Sequence, residues 1–197
     1  LSARRTPPPR PRNAAATREA ILASARALFA RHGYDGAGVR DIAAGAGVTA
    51  MLVNRYFGSK EKLYAAVIVE TMKSPAILTS ENLATPDVAR TFAKALVGIT
   101  RAADTPLDGF LILLRSAGSE TAAAIGREQI ESHNLRTMIG ALQGEDAPER
   151  AALIFSLVAG VQVMRQMIGL SALDDADPER LVALLTPLFQ QLMAPPA

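Results

Sequence analysis

Between positions 49 and 60 the chain carries Thr49, Asn54, Arg55, Tyr56 and Lys60, hydroxyl, amide and cationic groups set among small and apolar residues. Groups of this kind neutralise phosphate and exchange hydrogen bonds with base edges. Catalysis asks for something else, convergent acid and base pairs around a nucleophile or a metal. The two histidines, His32 and His133, are 101 positions apart, and there is no cysteine. Disulfides, thiolate metal sites and a cysteine nucleophile are thereby excluded. No spaced His, Asp and Glu cluster, phosphate-binding glycine loop or GxSxG elbow is found, so neither an enzyme nor a cofactor is expected.

The element that must position these groups is the stretch AGVRDIAAGAGVTAMLVNRYF, residues 37–57. It reads as a helix over residues 39–44, a turn over 45–48 and a second helix over 49–56. Ala43 sits where the two helices must approach closely, and Gly47 where the chain bends sharply, a position that favours glycine's access to positive φ. Ile42, Val48 and Val53 are spaced to meet in one small core. Thr49 is suited to cap the second helix by accepting a bond from a free backbone N–H. A helix pair of this kind normally lays its second helix in the major groove of DNA. A plainer reading, a helical hairpin that only packs, is also open to the pair taken alone.

The charge distribution favours the first reading. Residues 1–63 hold eleven Arg or Lys against four Asp or Glu, and residues 64–197 hold ten against fifteen. A part of net charge +7 therefore precedes a body of net charge −5, giving +2 in all. A basic end on an acidic body is the arrangement expected where one end faces a polyanion. Residues 1–15 add a Pro and Arg rich arm with Arg4, Arg5, Arg10 and Arg12, unable to form helix or core and able to trail along phosphates. No apolar run of the roughly 18–20 residues that cross a membrane is evident, and no signal peptide. A cytoplasmic protein without membrane association is expected.

Hydrophobic residues make up 49% of the 197 positions but aromatic ones only 5%, and Ala, Leu and Arg abound. The fold class expected is all-α. Ile21, Leu22, Ala25, Leu28 and Phe29 give a first helix over residues 17–32 one apolar face, with Gly33 ending it. Ser59 should cap a helix to about residue 73, its inner stripe Leu63, Tyr64, Val67 and Ile68. Helices are then read over residues 86–100, 107–116 and 119–142, the second short and buried. Asp146, with Glu149 three residues on, should open a helix to about Gly169. Asp177 and Pro178 should open the last, to about Met193. Ala159, Gly160 and Val163 on one, and Leu181, Leu184, Leu185, Leu188 and Leu192 on the other, suit pairing with a second copy of the chain in a four-helix interface. Packing of both stripes within one chain is the alternative. The organisation expected is a disordered basic arm (1–15), a helix-turn-helix DNA-binding domain (16–62) and a helical regulatory and dimerisation domain (63–197).

Residues 17–68 resemble the N-terminal domain of TetR-family transcriptional regulators. The resemblance rests on TREAILASARALFARHGY, VRDIAAGAGVT and YFGSKEKLYAAVI in that order and spacing. It implies a three-helix DNA-binding domain, a homodimer on a palindromic operator in double-stranded DNA, and a body whose occupation by a small-molecule effector releases DNA. It implies a recognition helix over residues 49–56, with Ala50, Met51, Asn54 and Arg55 on it. Thr49 would cap that helix and touch phosphate, as Tyr56 would. Lys60 would lie beside the DNA backbone, and Arg40 would reach a base edge or phosphate. The chain departs from the family's pattern at Ala37 and Gly38, where Thr or Ser is usual, at Met51 for Gly, and at Asn54 for Tyr. Met51 suits a thymine methyl and Asn54 an adenine edge.

A repressor released by its effector is therefore expected, with an effector-free DNA-binding regulator as the alternative and a helical enzyme as a remote one. Candidate effector contacts are the larger apolar side chains of the body, Phe92, Phe110, Met138, Phe155 and Met164, each equally suited to ordinary core. Arg115, His133 and Gln162 are polar groups in or beside apolar helices and complete the set. The small aromatic content favours an aliphatic or compact effector.

Overall fold

A computed structural model describes residues 14–72, 77–101 and 108–194, and all regular structure in them is helical. The N-terminal helices are α1 (Ala14–Gly36), α2 (Val39–Ala46), α3 (Ala50–Phe57) and α4 (Lys60–Met72). The body comprises α5 (Ser80–Leu83), α6 (Val88–Ile99), α7 (Asp108–Ser116), α8 (Glu120–Gln129), α9 (Arg136–Ala141), α10 (Ala147–Gln162), α11 (Ser171–Asp174) and α12 (Pro178–Met193). π-Helical segments, Ile130–Leu135 and Val163–Met167, continue α8 into α9 and extend α10. Of the arm read over residues 1–15, residues 1–13 lie outside the described residues, while Ala14 and Ala15 are not disordered but form the first turn of α1, since the arm's helix-breaking prolines all precede them.

Two apolar cores hold these helices. The first gathers Ile21, Phe29, Ile42, Val53, Leu63, Tyr64 and Ile68 from α1 to α4, and is completed by Ile112 of α7 and Ala122 of α8. Its aromatic centre is Phe29, Tyr34 and Tyr64, with Tyr64 edge-on to both other rings at 5.1 Å. The second joins Phe92 and Leu96 of α6, Met138, Ile154, and Leu181, Leu185 and Phe189 of α12. The expected inner stripe of α4 is borne out, since Leu63, Tyr64, Val67 and Ile68 are all buried.

α1 runs three residues past the stop expected at Gly33, but the chain does kink there, at φ 68° and ψ −176°. This backbone region is essentially confined to glycine. The end of α7 closes over the kink. The Tyr34 N–H donates to Ser116 Oγ at 2.9 Å, and the Arg115 guanidinium donates to the Ala30 carbonyl. A Cβ on Gly33 would stand 2.6 Å from the Arg115 carbonyl oxygen.

Four local expectations change. Of the segment read at 107–116, the described residues are only partly buried: Ile112 is enclosed, whereas Leu114 is 44% exposed. Asp146 does not cap α10 with its side chain but accepts from Arg150 Nε at 3.0 Å. Arg150 also donates to the carbonyls of Gln143, Leu192 and Ala194, tying the end of α12 to the start of α10. The leucine stripe of α12 divides, because Leu181 and Leu185 enter the core while Leu184 and Leu188 face outward. Finally, α10 with its π-helical extension spans Ala147–Met167, 21 residues, long and apolar enough to cross a membrane by length and composition. Counting unbroken apolar residues missed it, because Arg150 and Arg165 interrupt the run; both are buried within this chain's own packing.

Candidate nucleic-acid interface

The turn between α2 and α3 is built as the residue types require. Gly47 adopts φ 64° and ψ 38°, the left-handed conformation that ends a helix, and its position in the turn agrees with the sequence reading. α2 continues through Ala46, two residues further than read, so the turn is shorter. Ser24 of α1 donates to the Ile42 carbonyl at 2.8 Å, and a Cβ on Gly45 would meet that hydroxyl at 2.4 Å. Gly45 thus serves close packing of α2 on α1. At the start of α3, Thr49 Oγ1 accepts from the Leu52 N–H at 3.3 Å, as expected of a cap. α2 has Gly38 at its N-cap position and so no side-chain cap, the direct consequence of glycine where a hydroxyl is usual.

With Val53 and Phe57 buried, the opposite face of α3 presents Met51, Asn54 and Arg55 to solvent, one helical turn apart. Thr49 and Arg40 are exposed beside them. Ala50 and Tyr56 are half-buried and pack against the first core, so they also anchor the helix. Lys60 is half-buried, with its ammonium 4.4 Å from the centre of the Tyr34 ring. That ring is fixed in turn by the Tyr34 hydroxyl, which donates to Glu61 Oε1 at 2.9 Å. Burial, and after it the Glu61 carboxylate, push the Tyr34 phenol up to about 12. Arg18, read in the sequence only as a residue of the first helix, lies with its guanidinium 5.2 Å over the Phe57 ring. It brings a further cation to the end of α3, and the only hint of it in the sequence is the basic surplus of this end. The assembly is a rigid, capped helix with an exposed amide, guanidinium and thioether, supported by cations held on aromatic rings.

The residues suggested for an effector do not converge. Phe92 and Met138 are enclosed in the second core, Phe92 against Phe189 at 6.1 Å between ring centres. Arg115 is committed to the α1 carbonyls, and the exposed His133 shares its Nδ1 with Ser132 Oγ and the Gln129 carbonyl. Phe110 and Gln162 are half-buried, and Met164 is 43% exposed. Phe155 alone of the set lines an apolar groove of about 390 Å³, together with Leu113, Ala122, Gly126, Ile130 and Leu135. Arg127 and Glu131 provide its polar groups. The sequence reading missed this groove because small residues, Ala122 and Gly126, open it.

Comparison with known proteins finds matches to both parts of the chain. Residues 21–67 match the family described as bacterial regulatory proteins, tetR family, and residues 81–193 match the tetracyclin repressor-like C-terminal domain. The HTH-type transcriptional repressor AcnR of Corynebacterium efficiens is 41% identical over 66 residues, 34% of this chain and 35% of that protein. The chain thus matches about a third of the length of that relative. Salmonella enterica GusR has a similar fold, with TM-score 0.72 and 16% identity over 94% of this chain and 99% of that one. FadR of Bacillus subtilis, solved in complex with stearoyl-CoA, aligns with TM-score 0.63 and 19% identity over 89% of this chain and 97% of that one.

Proposed function

The chain belongs to the TetR family of bacterial regulatory proteins, and we propose that it is a homodimeric transcriptional repressor, which reads a palindromic operator through α3 and leaves it when a small molecule fills the body groove. The observation that carries the reading is the exposed Met51, Asn54 and Arg55 face on a helix whose other face is locked into a core. Phosphate contacts from Thr49, Tyr56, Lys60 and Arg40 would fix the docking, while the three central side chains read bases. A regulator of this kind works in the cytoplasm, where the operator is, and catalyses nothing.

Dimerisation is supported by the outward apolar residues Leu153, Met164 and Ile168 of α10 and its extension, and Leu184 and Leu188 of α12. Gly160 has open space where a side chain would stand, leaving room for a partner helix. The groove beside Phe155 is apolar, which suits an aliphatic effector. Such a ligand shifts DNA affinity only by binding one arrangement of the two α3 helices better than the other.

The test is selection of bound duplexes from a randomised pool, followed by salt titration of the recovered site and sedimentation of the protein. A two-fold symmetric site, with half-sites about one DNA turn or ~34–36 Å apart, bound by a dimer, is expected. Binding without any recovered motif, falling steeply with salt, would reduce the interaction to phosphate attraction and end the operator reading.

A further inference from the structure

We infer that Met51 reads the C5-methyl group of a pyrimidine in the major groove, which makes DNA binding sensitive to thymine demethylation and to cytosine C5-methylation. This rests on the proposed operator reading and adds to it the chemical group that one side chain recognises.

Among described residues 14–72, Met51 is the only large aliphatic side chain left exposed, at 79%. The other large aliphatic and phenylalanine side chains there are buried or half-buried. The exposure is not a by-product of a frayed helix, because the Thr49 cap makes Met51 the second residue of α3. In a helix-turn-helix, that N-terminal part of the second helix is where base edges are met. One turn on, Asn54 and Arg55 share its face, so the apolar tip is set among groups that suit hydrogen bonding to bases.

A thioether forms no useful bond to phosphate. The apolar group that a base edge offers in the major groove is the thymine methyl. Methionine has three rotatable bonds and a polarisable tip, which lets it settle on such a methyl without exact alignment. Against an unmethylated cytosine, or a guanine edge, the same tip would displace water from polar groups and return no hydrogen bond. The discrimination is therefore two-sided. Methylated cytosine carries its methyl at the same ring position as thymine, so it should be read in the same way.

The experiment uses the full chain and the duplex recovered by selection. Thymines of each half-site are replaced singly by deoxyuridine, which removes only the methyl. Wild type should lose roughly fourfold in affinity at one thymine per half-site, the equivalent of burying one methyl group. Met51→Ala, a substitution that favours helix, should bind the thymine and deoxyuridine duplexes equally. With cytosine placed at that position, C5-methylation should restore roughly fourfold to wild type and nothing to Met51→Ala. If no deoxyuridine position matters, or if Met51→Ala keeps the discrimination, the inference is overturned while sequence-specific binding stands. If the pool yields no preferred site, the operator reading fails first and the inference with it.

Discussion

Replacing Gly33 by alanine tests the joint between α1 and α7. At φ 68° and ψ −176° an L-residue sits in a region that costs about 1–3 kcal/mol. The new Cβ would also stand 2.6 Å from the Arg115 carbonyl oxygen and 3.1 Å from its carbon, both backbone atoms that cannot rotate away. α7 must retreat, which loosens the buried 2.9 Å bond from the Tyr34 N–H to Ser116 Oγ, worth about 0.5–1.5 kcal/mol. Against this, alanine restricts the unfolded chain and returns about 0.4–1 kcal/mol. The net loss expected is about 0.5–4 kcal/mol. Gly98→Ala is the matched control. Gly98 lies exposed in α6 with no atom within 4 Å of a would-be Cβ, so its replacement should stabilise by about 0.5–1 kcal/mol. Equilibrium urea unfolding followed by circular dichroism, at one fixed protomer concentration because association contributes to stability, measures both. A Gly33→Ala midpoint at or above that of the wild type would refute the argument, since neither strain nor overlap could then be present.

Arg165→Met removes a 4% exposed guanidinium that donates to the Leu173 carbonyl at 3.0 Å, the Val97 carbonyl at 2.9 Å and Thr100 Oγ1 at 2.7 Å. Buried carbonyls left unpaired cost about 1–3 kcal/mol each, so a destabilisation of about 2–4 kcal/mol is expected in the same urea assay. Thr49→Ala should cost about 1 kcal/mol through the lost cap and weaken operator binding at every sequence alike, checked by urea unfolding and by duplex titration. The raised Tyr34 phenol contributes stability that is whole below pH 10 and lost as pH rises through about 12. Burial raises Tyr64 in the same direction. Tyr34→Phe should therefore flatten the alkaline fall in stability between pH 10 and 12, followed by thermal unfolding across that range.

The helix-turn-helix was legible because its signals are local. Gly47 must leave the helix, Thr49 must cap the next, and Ile42, Val48 and Val53 are spaced to meet in one small core between the two. The stripe of α4 was legible for the same reason. Long-range pairing was not. Arg115 reads as a polar group beside an apolar helix and a candidate effector contact, and nothing in the sequence says that it closes on a carbonyl 85 positions away. Arg150 and Arg165 sit in apolar stretches that predict burial of their neighbours, but not which carbonyls would hold them. The π-helical turns at 130–135 and 163–167 leave no mark in composition, yet they rotate every later side chain on their helices. Of the candidate effector contacts chosen by size, Phe92 and Met138 fell in the core and only Phe155 lines the groove, because a groove is made where side chains are small, as at Ala122 and Gly126.

The first core does not end where the N-terminal helices end. Ile112 and Ala122, both fully enclosed, belong to α7 and α8 yet complete the packing around Tyr64 and Phe29. Gly109 comes so near α4 that a Cβ there would meet the Thr71 side chain at 2.9 Å. The N-terminal head is consequently not a transferable cassette. A chimera that joined residues 14–72 to a relative's body would inherit a hole or a clash wherever that body lacks a small residue at 109, an Ile-sized one at 112 and an Ala-sized one at 122. Engineers seeking to swap operator specificity between such regulators would do better to transplant the exposed face of α3 alone, leaving the seam between head and body untouched.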